Sequence, residues 1–173
     1  MCEKPRFFET ARHPVFRVPY TRLAYRPTRE LIDLLWASGF SVYICSAGGR
    51  DFVRVVAEEM YGIPRERVIG SGTTLEYRGG EIFRTKGIEQ PIDDGPGKPV
   101  HIWIRTGRKP LLAGGNADGD VAMLEAAWFA LLIRHDDADR EFAYDAGAEV
   151  AAVAAGRHGW TVVSMKDDFA EVF

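Results

Sequence analysis

Cysteine is scarce in this chain: Cys2 and Cys45 are the only two in 173 residues, and they lie far apart. A disulfide framework is not expected from such a pair, and the usage fits a reducing cytosol. No apolar run approaches the roughly 20 residues that a membrane-spanning helix needs, so no membrane partner is expected. The N-terminal stretch MCEKPR is polar and charged and does not read as a signal peptide. An excess of one charge is missing too. Lys and Arg total 22 against 25 Asp and Glu, a net charge of -3. No basic stripe interleaved with aromatics stands out, which argues against nucleic acid as the main partner. Residues 1–27 lack hydrophobic periodicity, are broken by Pro5, Pro14, Pro19 and Pro27, and hold no apolar strand ending in an aspartate. What the chain does have is 46% hydrophobic residues, enough for one domain with a sizeable core.

Residues 40–54, FSVYICSAGGRDFVR, organise the reading. The β-branched and aromatic run 40–45 predicts a buried strand. Ala47-Gly48-Gly49 then predicts a tight turn, and Phe52, Val53, Val56, Ala57 and Met60 recur at helical spacing up to Gly62. Upstream, a short helical piece is expected near 6–11. Thr28 reads as the N-cap of a helix carrying Leu31, Ile32, Leu34 and Leu35, closed by Gly39. Downstream, 67–70 predicts a parallel strand, and 73–85 a hairpin turning on Gly79-Gly80. A loop is expected over 88–97, a helix over 98–105, a strand over 109–113 and a helix carrying Val121, Met123, Leu124 and Ala127. A strand over 129–133, a polar helix over 136–144, an alanine-rich helix over 149–155 ending at Gly156, a strand over 160–163 and a helical turn over 167–172 complete the chain. This alternation implies an α/β fold, a three-layer Rossmann-like domain with a mostly parallel sheet and a small β-hairpin.

Ligands gather at the carboxyl ends of strands in such sheets. Two ends are chemically loaded here. Ser46 precedes a helix start whose free N–H groups suit an anion. Asn116, Asp118 and Asp120 follow a buried strand, and Lys98 opens a helix between the two. Hydroxyl, ammonium and an Asp/Asn cluster are what a phosphoryl group with Mg²⁺ requires. Each residue also has a plain structural reading: Ser46 as a cap, Lys98 as a solvated lysine, 116–120 as an Asx-rich loop capping the next helix. Their order, each at a strand end or helix start, favours the joint reading.

The segments SVYICSAGGRDF, GKPVHI and LLAGGNADGDVAML resemble the second, third and fourth motifs of the haloacid-dehalogenase-like hydrolase superfamily. Within it they look like the phosphoserine-phosphatase-like branch. RHDDADREFAYD and GWTVVSMKDDF resemble the C-terminal half of a bacterial group of these hydrolases, so the likeness runs from about Thr10 onward. The resemblance implies a cytoplasmic, Mg²⁺-dependent phosphatase acting on a small-molecule phosphate ester. Ser46 would hydrogen-bond a phosphoryl oxygen, helped by backbone at Ala47 and Gly48, with Arg50 reaching the substrate. Lys98 would bridge phosphate and nucleophile. Asn116 stands where many relatives place a metal-ligating aspartate, and Asp118 and Asp120 complete the expected metal set.

The chain departs from that family in its first motif, a strand ending in Asp-x-Asp that supplies the nucleophile. Residues 118–121 have the letters but lie past their strand. The helical cap is also almost absent, with 7–14 looking like its last part and 1–5 like the segment that follows the first motif. The expected organisation is therefore a remnant of the N-terminal and cap segment over 1–27 and a core domain over 28–173. Such a truncated or internally deleted chain is expected to turn over weakly or not at all. The alternatives are a non-catalytic phosphate or Mg²⁺ binding domain, and a fragment completed by a partner strand, for instance as a homodimer through an exposed sheet edge.

Overall fold

Pro27 sets where the first regular helix begins. Proline has no N–H to leave unpaired and is preorganised for the first helical turn. In the computed structural model, which describes residues 7, 10–144 and 146–173, α1 (Arg26–Ala37) carries Pro27 in its first turn and buries Ile32. Thr28 therefore lies inside the helix rather than at its cap, a position held by Tyr25. Gly39 follows the helix at φ +80°, the left-handed conformation expected of it. Of the helical piece expected near 6–11, Phe7 and Thr10 are helical, and the Ala11 N–H donates to the Phe7 carbonyl at 2.8 Å. Residues 6, 8 and 9 lie outside the described residues.

Strand β1 (Ile44–Gly49) begins four residues later than the apolar run predicts. Its partner sets its position: it pairs in parallel with β2 (Val68–Ser71), Cys45 opposite Ile69 and Ser46 opposite Gly70, with an irregularity between Ser46 and Gly49. Phe40, at the head of the apolar run, is 42% exposed. Ala47-Gly48-Gly49 is thus the end of a strand and not a turn, and α2 (Arg50–Tyr61) starts directly after it. This helix buries Val56 and Ala57, leaves Phe52 exposed, and ends on left-handed Gly62. The antiparallel hairpin β3 (Thr73–Arg78) and β4 (Glu81–Ile88) turns on Gly79 and Gly80, both at positive φ.

After α3 (Gly97–Thr106) comes a second parallel sheet of β5 (Leu112–Gly115), β6 (Phe129–Arg134) and β7 (Thr161–Ser164), in that spatial order. Helices α4 (Val121–Ala126) and α5 (Glu149–His158) connect its strands, and α6 (Met165–Asp168) follows β7. Helix α5 runs through Gly156 and stops at Gly159, φ +67°. Glycine inside a helix costs only about 1 kcal/mol relative to alanine, so it stops a helix only where the left-handed conformation is needed. The polar helix expected over 136–144 does not form. The Asp137 carboxylate accepts the N–H groups of Asp139 and Arg140 at 3.1 and 3.0 Å, an Asx turn that competes with helical bonding.

The expected mostly parallel sheet is divided. Among the described residues β1 pairs only with β2, and β5 only with β6. The core is nevertheless continuous: Ile69 of β2, Ile102 of α3, Ala113 of β5 and Leu132 of β6 share one buried cluster. A second cluster joins Met165, Phe169 and Val172 to Tyr25, Ile133 and Val163.

Candidate functional site

The carboxyl ends of β1 and β5, on the two sides of the divided sheet, border a cleft of about 330 Å³. Its lining includes Ser46 and Ala47 from β1, Lys98 from α3, and Asn116 and Asp120 from the loop after β5. Cys45, Asp94, Ala117 and the glycines at 114, 115 and 119 complete it.

Lys98 is 4% exposed, and its ammonium donates to the Asp120 carboxylate and to the Cys45 carbonyl, both at 3.1 Å. A buried lysine needs such partners, since desolvation otherwise favours its neutral form. The local chain explains how it gets there. A Cβ at Gly97 would fall 1.8 Å from the Ile92 carbonyl oxygen, so only glycine lets the 92–97 loop fold back onto the start of α3. Gly97→Ala should therefore lower the thermal midpoint by about 5–10 °C and weaken any ligand held by Lys98. A calorimetric scan checks this, and an unchanged midpoint would mean that the loop is not constrained.

The far wall is closed by Asp120. Its second carboxylate oxygen accepts the N–H groups of Asn116 and Ala117 at 2.9 and 3.2 Å. Gly115 permits the approach, since a Cβ there would lie 2.6 Å from the Asp120 Cβ. Asp118 is not part of the lining. Its carboxylate accepts the Ala151 N–H at 2.9 Å, in the first turn of α5. On the β1 side, the Ser46 hydroxyl accepts the Gly48 N–H at 3.2 Å, and the Ala47 carbonyl accepts the Ser71 hydroxyl at 2.9 Å. Gly48 and Arg50 also stand off the lining. The Arg50 guanidinium forks onto Glu89 with bonds of 2.8 and 2.9 Å.

Periodicity gave no sign of Asp93 and Asp94, because a loop's path is not written in it. The only available signal was two adjacent carboxylates in a Gly- and Pro-rich loop just ahead of a lysine. Asp93 is fully buried and accepts the Cys45 thiol at 3.5 Å. Burial lifts the Asp93 pKa above its ordinary value, with the thiol and Lys98 opposing. Burial, and then Asp93, push the Cys45 thiol well above its ordinary range. Cys45 is thus held as a thiol and makes a poor nucleophile. In a Cys2→Ser variant, Cys45 should react with a disulfide reagent near pH 8 at least about tenfold more slowly than free cysteine. Reaction as fast as free cysteine would contradict this environment.

Among the described residues, no group of three or more His, Cys, Asp or Glu side chains is placed to hold a metal ion. No helix among them is long and apolar enough to cross a membrane.

No family model matches the chain. An L-lactate dehydrogenase of Lactobacillus delbrueckii subsp. bulgaricus is 31% identical over 77 residues, 44% of this chain and 24% of the dehydrogenase. Among the solved structures similar to this chain are these three. A protein of unknown function from Bordetella pertussis Tohama I gives a TM-score of 0.58 at 17% identity, over 91% of this chain and 62% of that one. Cytosolic 5′-nucleotidase IIIB bound to cytidine gives 0.50 at 17% identity, over 84% and 49%. A phosphoserine phosphohydrolase-like protein of Francisella tularensis SCHU S4 gives 0.46 at 16% identity, over 75% and 62%. The chain thus spans a quarter of the dehydrogenase and half to three fifths of the similar solved chains. At 17% identity the likeness to the Bordetella protein and the nucleotidase is one of fold, and this chain has the haloacid-dehalogenase-like α/β fold.

Proposed function

We propose that the cleft binds the phosphate of a small-molecule phosphate monoester, and that the chain by itself hydrolyses it very weakly or not at all. The observation that carries this reading is the buried Lys98 ammonium, which shares one cleft with the Ser46 hydroxyl. An ammonium and a hydroxyl together suit an oxyanion. The family's hydrolysis is Mg²⁺-dependent and begins with attack by a carboxylate. The donors here match neither role. Asp120 is committed to Lys98 and two amides, Asp118 to the start of α5, and Asn116 brings no charge. Mg²⁺ needs at least one or two carboxylate oxygens in octahedral geometry beside its waters. Phosphate binding is therefore expected to persist in chelator. The setting is cytoplasmic in this reading. A dehydrogenase reading lacks its Gly-x-Gly-x-x-Gly turn, since β1 runs through Ser46-Ala47-Gly48-Gly49 into α2.

The test combines calorimetric titration of inorganic phosphate with hydrolysis of an aryl phosphate, in Mg²⁺ and in chelator. Binding with turnover far below about one per second is expected. Mg²⁺-dependent turnover at or above that rate would overturn the inactive reading, and no heat on phosphate addition would overturn the site. The divided sheet favours a second, compatible reading. The β1 and β5 edges beside the cleft lack strand partners among the described residues, and such edges accept strands. A homodimer formed through them would appear as concentration-dependent sedimentation, and a clean monomer at high concentration would remove it.

A further inference from the structure

The three-stranded sheet has a second concavity at the end opposite the cleft. Trp128 immediately precedes β6 and Trp160 immediately precedes β7, so both sit where these strands begin, whereas the cleft lies where β5 ends. The two indoles border a cavity of about 480 Å³. Buried Leu124 and Ala130 also line it, as do Glu125 and His158. The His158 ring stacks on Trp160 with centroids 5.7 Å apart and planes 18° from parallel, and its Nε2 lies 3.4 Å from the Glu125 carboxylate. Trp128 is 84% exposed, an unusual state for the largest apolar side chain.

We propose that this cavity takes the arginine side chain of a partner polypeptide, its guanidinium stacked on Trp128 and paired with Glu125. Three properties of the cavity select that group. Indole faces attract cations, and a flat, weakly hydrated guanidinium stacks on them better than a compact, strongly hydrated ammonium. A carboxylate borders the same cavity, and guanidinium pairs with carboxylate through two parallel N–H bonds. A neutral ligand would cover Glu125 without compensating its charge. His158 is the resident partner of Glu125, and the incoming guanidinium replaces it there. The cavity is also larger than one guanidinium, which leaves space for the residues that flank an arginine in a chain. This site is independent of the phosphate reading, because none of its residues touches the cleft.

The test follows the indole N–H resonances of the full chain during titration with a blocked Gly-Ser-Arg-Ser-Gly peptide. Trp128 and Trp160 should shift with a dissociation constant on the order of 1 mM, while Trp36 and Trp103 stay still. A peptide with citrulline for arginine, equal in shape but neutral, should bind at least about tenfold more weakly. Glu125→Gln should cost about tenfold, and Trp128→Ala should abolish the Trp160 shift. Both side chains are exposed, so the fold survives their replacement, and an unchanged thermal midpoint with unshifted Trp36 and Trp103 resonances in each variant verifies this. Equal binding of the citrulline peptide, shifts that survive Trp128→Ala, or no shift at about 20 mM peptide would overturn the site. Equal affinity for blocked arginine alone would overturn the polypeptide partner.

Discussion

Lys98→Met should reduce phosphate affinity by about a hundredfold or more, the largest loss expected of any single change in the cleft. Methionine preserves the length and apolar stem of the lysine and removes only its ammonium. Two acceptors then lose their donor: the Asp120 carboxylate and the Cys45 carbonyl of β1. Three carboxylates, Asp93, Asp94 and Asp120, remain in or beside the cleft with no cation among its lining residues. An incoming phosphate meets net repulsion in place of attraction. The same loss makes stability depend on pH in a definite direction. Asp93 already has a raised pKa that Lys98 holds down, so the variant raises it further. A carboxylate with a raised folded-state pKa binds its proton more tightly when folded. The penalty is therefore absent below the unfolded value and fully present above the folded one. The variant's thermal midpoint should lie nearer that of the wild type at about pH 4.5 than at about pH 7.5. Phosphate calorimetry checks the first claim, and an affinity within about threefold of wild type would refute it.

What the sequence reveals of this cleft, and what it hides, divides along the difference between local and distant causes. Gly62, Gly79 and Gly80 take left-handed conformations that nearby residues demand, and they are legible in the sequence. Ser46, Asn116 and Asp120 reach one cleft because the carboxyl ends of β1 and β5 both face it, the side where ligands gather in parallel α/β folds, and Lys98 joins them from the start of α3. Arg50 and Asp118 are diverted by partners that no local pattern announces. Glu89 arrives from the end of β4, and the Ala151 N–H from the start of α5. The placement of β1 follows the same logic, since its register answers to β2 rather than to its own apolar peak. The division of the sheet is equally invisible, because periodicity identifies strands without saying which of them pair.

The segment read as a polar helix gives the other large effect: Arg140→Ala should lower the thermal midpoint by about 5–10 °C. Arg140 follows the Asx turn of Asp137, and its guanidinium ties that turn to the C-terminal segment. It donates to the carbonyls of Met165 and Phe169, each at 2.7 Å, and to those of Lys166 and Ala170, while pairing with the 3% exposed Asp137 carboxylate. The C-terminal segment in turn closes the cluster of Met165, Phe169 and Val172 against Tyr25 and Ile133. Alanine leaves four carbonyls and a buried carboxylate without that donor, and an unmet buried acceptor is costlier than a bond never made. Lysine should restore only part of the loss, because one ammonium cannot span positions that a planar fork reaches together. Acid separates this latch from simple packing. The Arg140 backbone N–H holds the Asp137 carboxyl below its ordinary value, burial opposes it, and the guanidinium and the Asp139 N–H add to the lowering. A lowered folded-state pKa stabilises above the unfolded value and ceases to do so as pH falls through the folded one. Arg140→Ala keeps the backbone bonds and loses the ion pair, so its deficit should be full near neutrality and narrow below about pH 3. Hydrogen exchange should show residues 165–173 opening first in the variant. A midpoint within about 2 °C of wild type, with exchange there unchanged, would mean that the C-terminal segment is held by its apolar contacts alone.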